Sequence, residues 1–154
     1  MVRRFLLDGM LGALSRWLRI LGFDTLYYVD KDDEELILEA KATGRVLVTR
    51  DVELHKRATK HGLKSFLIDS DDTMEQLNEI TTKLELNLEP KNTKCPKCNG
   101  ELRPIEKELV RGFVPPESYE VFNEFWKCEA CGAVYWKGSH WDKIQETLNL
   151  IDSS

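Results

Sequence analysis

Arg45-Val46-Leu47-Val48-Thr49-Arg50-Asp51 is an almost unbroken apolar run that ends on an acid. A strand with one wet face alternates apolar and polar residues. A continuous valine-rich run instead predicts a strand covered on both faces, as in a parallel sheet. Asp51 then falls just beyond the strand's carboxyl end, the edge where open parallel sheets carry their functional crevice.

Working outward from this run, strand and helix patterns alternate. Arg3-Arg4-Phe5-Leu6-Leu7-Asp8 reads as a short buried strand. After Gly9 comes a helix with Leu11, Leu14, Leu18 and Leu21 at helical spacing, stopped by Gly22. Thr25-Leu26-Tyr27-Tyr28-Val29 is a second strand, and residues 34–43 a helix with Leu36, Ile37 and Ala40 facing inward, ended by Gly44. Beyond Asp51, residues 52–61 read as helix, Gly62 as its stop, residues 64–69 as strand and residues 73–84 as a further helix. This alternation predicts an α/β fold, a parallel sheet flanked by helices.

Near Leu88 the alternation stops. The expected organisation is a first domain over 1–88, a polar, Pro-containing linker over 89–94, and a small module over 95–154. That module holds eight of the fourteen aromatics and all four cysteines. A unit this small lacks volume for an ordinary core and packs aromatics around a metal instead. Cys95-Pro96-Lys97-Cys98 and Cys128-Glu129-Ala130-Cys131 are paired Cys-x-x-Cys turns, with Asn99-Gly100 and Gly132 just past them for tight backbone geometry. Two such turns complete a closed tetrahedral shell, which points to structural Zn2+, with iron in the same four-sulfur cage as the alternative. A thioredoxin-type redox site would use one such turn at a helix start. Tyr135 to Trp141 is dense in groups that stack on bases or meet phosphate, and Trp136 and Trp141 serve equally to fill the small core. Ser139 with Asp142 resembles a capping box for a last helix bearing Ile144, Leu148 and Ile151.

Asp8, Asp51 and Asp69 each lie at or just after a strand end, and Asp33 opens the second helix, where the helix dipole also favours an acid. Three acids brought to one sheet edge repel one another unless a divalent cation neutralises them, so they would form a Mg2+ or Mn2+ site suited to phosphate chemistry. Acids in these positions also cap helices and occupy turns. Arg50, Lys56, Arg57 and Lys60 are candidate phosphate contacts beside Asp51, or simply solvated cations.

The net charge of -5 argues against a uniformly basic surface, although a metal at the acids would offset it locally. No apolar stretch of about 18 residues and no signal-like run at the N-terminus occurs, so the expectation is a cytoplasmic protein with no membrane partner.

The chain resembles the PIN-like ribonucleases, and more narrowly the Mut-seven C-terminal RNase domain family, in which a PIN-like domain precedes a zinc ribbon. The resemblance rests on Asp8 before a Leu-rich helix with Arg16-Trp17-Leu18-Arg19, then Leu21-Gly22-Phe23-Asp24-Thr25, Asp33-Glu34-Glu35-Leu36 leading to Ala40, and Gly44 to Asp51. In the C-terminal part it rests on Cys95 to Asn99, Cys128 to Gly132 and Tyr135 to Trp141. It implies that Asp8, Asp33 and Asp51 bind Mg2+ or Mn2+ and are catalytic, that Thr49 positions them, and that Asp69 is auxiliary. The implied function is metal-dependent hydrolysis of phosphodiester bonds in single-stranded RNA. One alternative is a non-catalytic RNA- or ribosome-binding zinc-ribbon protein. A phosphoacceptor receiver domain is disfavoured, because Gly9 follows Asp8 where that fold needs a second acid, and its last strand would end in lysine rather than at Asp69.

Overall fold

The computed structural model describes residues 3–152. Its contacts divide the chain into two compact units. One runs through Arg19 and resumes over Phe23–Asn87; the other takes Ile20–Gly22 and the chain from Leu88 onward.

In the first unit, strands β1 (Arg4–Leu7), β2 (Asp24–Tyr27), β3 (Val46–Thr49) and β4 (Ser65–Leu67) alternate with helices α1 (Gly12–Ile20), α2 (Asp33–Thr43), α3 (Val52–Lys60) and α4 (Thr73–Lys83). The sheet is wholly parallel in the order β2-β1-β3-β4, as the apolar run at β3 predicts. Leu6 pairs with Leu26 on one side and Leu47 on the other. These three form one face of the sheet, against which α2 packs Leu36, Ile37 and Ala40 and α3 packs Leu54 and Ala58. Phe5, Leu7 and Val48 alternate to the opposite face and are fully buried. The crossover helix α1 joins β1 to its parallel neighbour β2, and the right-handed rule for such units assigns it to that face, with its buried Leu14 and Leu18.

The second unit carries an antiparallel sheet, β5 (Leu102–Ile105), β6 (Phe125–Cys128) and β7 (Val134–Tyr135), with β6 in the middle. Helices α5 (Pro116–Val121) and α6 (Ser139–Asp152) complete it. Its small core is aromatic: Phe125 lies with Val110 and Val114 under Tyr119, Phe122 and Trp136. Trp136 is therefore a packing residue, its ring 6.1 Å from that of Phe125. Ile144, Leu148 and Ile151 of α6 are buried, as their spacing requires. The helix begins at Ser139 itself, and Asp142 N–H bonds to Gly138 O, so Ser139 is the first helical residue and not the cap. No described helix is long and apolar enough to cross a membrane.

β2 starts at Asp24, earlier than its apolar pattern indicates, for a tertiary reason. Arg45 is buried, and its Nη1 donates to Phe5 O at 3.2 Å, Asp24 O at 3.1 Å and Asp24 Oδ1 at 2.8 Å, while Nε reaches Thr43 Oγ1. One guanidinium thus ties together the starts of β1, β2 and β3. Removing it takes a donor from a half-buried carboxylate and from two carbonyls. Arg45→Leu is expected to cost about 2–4 kcal/mol, read as a lowered urea midpoint with unchanged slope. An unchanged midpoint would show that the network adds no net stability.

Candidate functional site

β1 lies between β2 and β3, so the chain leaves β1 toward one side and later returns to build on the other. The switch point is between β1 and β3. Ligands of open parallel sheets lie beyond the strand carboxyl ends at such a point. Asp8 follows β1 there, and Asp51 follows β3 by two residues.

Thr49 ends β3 fully buried and joins these two acids. Its hydroxyl donates to Asp8 Oδ2 at 2.8 Å and accepts from the Asp51 N–H at 2.9 Å. Asp51 also caps α3, its Oδ1 accepting from Glu53 N and Leu54 N. Asp33 is the first residue of α2, while Asp32 is the cap and shares a capping box with Glu35. The separation leaves the Asp33 carboxylate free of capping duty. Arg57 of α3 takes it up instead, Nη1 lying 3.3 Å from Asp33 Oδ2 and Nη2 3.9 Å from Glu34 Oε1.

The electrostatics tie the three acids together. Burial pushes the Asp8 carboxyl above its ordinary value, the Asp51 and Asp33 charges add to that, and the Thr49 hydroxyl bond opposes it. Asp8 Oδ1 is buried with no hydrogen-bond partner. An orphaned carboxylate oxygen beside two further acids suits a hard divalent cation. The three carboxylates are not drawn into a closed cluster, however. Among the described residues, only the four cysteines bring one ligand atom each within 4.8 Å of all the others.

Asp69 is exposed and follows β4. Its N–H bonds to the Glu79 carboxylate and its carbonyl accepts from Arg50 Nη2 at 3.3 Å. Arg50 is thus engaged at the β4 end, and Arg57 with Asp33. Lys56 and Lys60 are exposed on α3.

The cysteine cage is the second candidate centre. Cys95, Cys98, Cys128 and Cys131 can hold a metal ion such as zinc. Cys95 and Cys131 sulfurs lie 3.8 Å apart, and those of Cys98 and Cys128 3.4 Å. A tetrahedron of 2.3 Å bonds has edges of about 3.8 Å, so the donor set fits that ion. The glycine after the first knuckle is sterically required: a Cβ on Gly100 would meet Cys128 Sγ at 2.6 Å and Ala130 Cβ at 2.8 Å. Burial pushes the Cys98 thiol up to about 12, against the Gly100 N–H. Burial also acts to raise Cys128, but the N–H groups of Cys131 and Ala130, with the neighbouring thiols, bring it down to about 7. Cys128 therefore gives up its proton more readily than Cys98, and an entering cation must displace the protons that the thiols still hold.

The sequence pattern does not expose the Asp33–Arg57 pair or the contact of Tyr135 Oη with Cys95 Sγ at 3.1 Å. Each joins residues from different elements. A tyrosine in a strand next to a knuckle was the one available cue to the second.

A comparison with curated proteins gives no match, and neither does one with solved structures. Against family models, residues 3–148 match the Mut7-C RNAse domain, a span that takes in both the parallel sheet with its edge acids and the cysteine-bearing antiparallel sheet. The chain belongs to the Mut7-C RNAse domain family, whose name marks a ribonuclease type of function with RNA as substrate or ligand.

Proposed function

We propose that this protein is a divalent-metal-dependent ribonuclease that hydrolyses phosphodiester bonds in single-stranded RNA, with Asp8, Asp33 and Asp51 holding Mg2+ or Mn2+. The observation that carries the reading is the half-buried Asp8 carboxylate at the switch point, with its buried Oδ1 unpartnered and two acidic neighbours that oppose its charge. Residues 1–88 form the nuclease domain, 89–94 the linker and 95–154 a Zn2+ ribbon with its C-terminal helix. The contact division at Asn87 and Leu88 supports that boundary. A cytoplasmic site of action fits four cysteines that serve a metal and not disulfides.

When bound, a divalent ion supplies a water of lowered pKa and charge that stabilises the phosphoryl oxygens. The residues divide the remaining work. Asp8 is held by the Thr49 hydroxyl with Oδ1 left open, and Asp51 keeps one oxygen beyond its cap. Asp33 completes the set on release from Arg57, whose guanidinium is then available to a substrate phosphate. Lys56 and Lys60 add positive charge along the same helix.

A binding-only reading draws on one observation. Lys137 Nζ lies 5.5 Å from the Trp126 ring and 5.1 Å from that of Trp141, a basic and aromatic group that could meet RNA. Turnover separates the two. Mn2+-dependent cleavage of single-stranded RNA is expected for the wild type and a loss of at least about 100-fold for Asp8→Asn and Asp51→Asn, on the scale of losing a metal that activates water. Equal activity in all three would place the activity elsewhere, and RNA retention without cleavage in any metal would favour binding alone.

Asp8→Asn should also raise the melting temperature of the metal-free protein by a few degrees. Because the Asp8 carboxyl is raised in the fold, its ionised form costs stability at neutral pH, and that cost shrinks as pH falls through the folded value and is gone below the unfolded one. Differential scanning calorimetry with and without Mn2+ checks this: the ion should stabilise the wild type and leave the variant unmoved. A variant that melts lower without metal would contradict the charge burial.

Zinc uptake should release protons, and its affinity should fall continuously as pH is lowered, because every thiol that still holds a proton must lose it to bind the ion. Removing the ion with a chelator should expose residues 95–154 to proteolysis. Uptake independent of pH would rule out thiolate coordination.

A further inference from the structure

We propose that Tyr135 is a positioning residue for the ribbon metal, donating a hydrogen bond from its phenolic hydroxyl to the Cys95 thiolate and thereby setting how tightly the ion is held. The inference rests on reading the four cysteines as a metal site, and adds to it a residue that the ligand spacing does not reveal.

Three of the sulfurs have a donor in view, and they are not alike. Cys98 Sγ accepts from the Gly100 N–H at 3.4 Å, and Cys128 Sγ from the Cys131 N–H at 3.4 Å. Both are backbone donors supplied by the knuckle turns themselves. Cys95 is different. Its sulfur meets a side chain forty residues away, Tyr135 Oη, at the shorter distance of 3.1 Å. With a protonated thiol either atom could donate. Once the sulfur is a metal-bound thiolate it has no proton, so the hydroxyl must be the donor.

The fold fixes this donor. Tyr135 lies on β7 directly opposite Trp126 of β6, and both rings pack against Cys95, Leu102 and Cys128. Cys95 is fully buried, and its own N–H and carbonyl bond within the knuckle to Gly100 O and Asn99 N, each at 2.8 Å. The sulfur thus sits where water does not reach and its stabilisation must come from protein.

Four thiolates around a divalent ion leave a net double negative charge, and a hydroxyl aimed at one sulfur disperses part of it. Outer-shell partners of this kind typically contribute about 10- to 100-fold in metal affinity. The loss should appear as faster metal release and as a change in the sulfur-to-metal charge-transfer band, since a thiolate without its donor gives up electron density more easily.

Tyr135→Phe tests this in the full chain, because phenylalanine keeps the ring against Trp126 and removes only the oxygen. In Co2+-loaded protein the charge-transfer band is expected to move to lower energy, and in Zn2+-loaded protein a chelator should extract the ion about 10-fold faster or more. Trp126→Phe, which alters packing and spares the hydroxyl, should leave the band in place. In Cd2+-loaded wild type, the Tyr135 hydroxyl proton should show scalar coupling to 113Cd through the Cys95 sulfur, an observation that needs no variant to fold. Tyr135→Phe that matches the wild type in band and release rate would overturn the proposal, as would a hydroxyl proton without coupling. Wild type that takes up no Co2+ would overturn the metal reading and the donor role with it, whereas uptake with unchanged release would remove the donor role alone.

Discussion

Parallel pairing on both sides of β1 is the constraint from which the rest of the first unit follows. It sends the carbonyl ends of all four strands to one edge and their amino ends to the other. The two edges are then specialised in opposite charge. At the amino end, the Arg45 guanidinium satisfies carbonyls and one carboxylate. At the carboxyl end lie Asp8, with one oxygen unpartnered, and Asp51, and the Thr49 hydroxyl joins the two. The amino edge is closed on itself, whereas the carboxyl edge keeps one buried carboxylate oxygen without a donor.

The same division runs through the second unit on a smaller scale. A three-stranded sheet this short buries little, so its centre is split between an aromatic cluster around Phe125 and a sulfur cage around Cys95 and Cys128. A metal held by the cage would add its binding energy to folding, and the aromatic rings give the cysteine-bearing segments something to lie against.

What the sequence discloses is mostly periodic and local. The unbroken apolar run at β3 identifies the parallel sheet, helical spacing identifies α1 and α6, and two matched knuckles identify the cage. Interactions between elements are hidden from it. Nothing near Asp24 announces that β2 begins there, because the reason is an arginine twenty-one residues further along. The helix pattern places Asp33 at the head of α2 but does not show that Asp32 does the capping or that Arg57 occupies Asp33. The candidate site was legible as two strand-end acids and one at a helix start, and its spacing was not, since carboxylate separations depend on rotamers and on a competing cation from a different helix.

Asp51 has one consequence for coordination. Its Oδ1 is already committed to two amide groups in the first turn of α3. A cation drawn to this residue therefore meets Oδ2 only, and a bidentate grip would fray the start of α3, the helix whose last turn carries Arg57 and Lys60. Ion occupancy and the integrity of that turn are bound to a single carboxylate, so lengthening it by one methylene would disturb both at once.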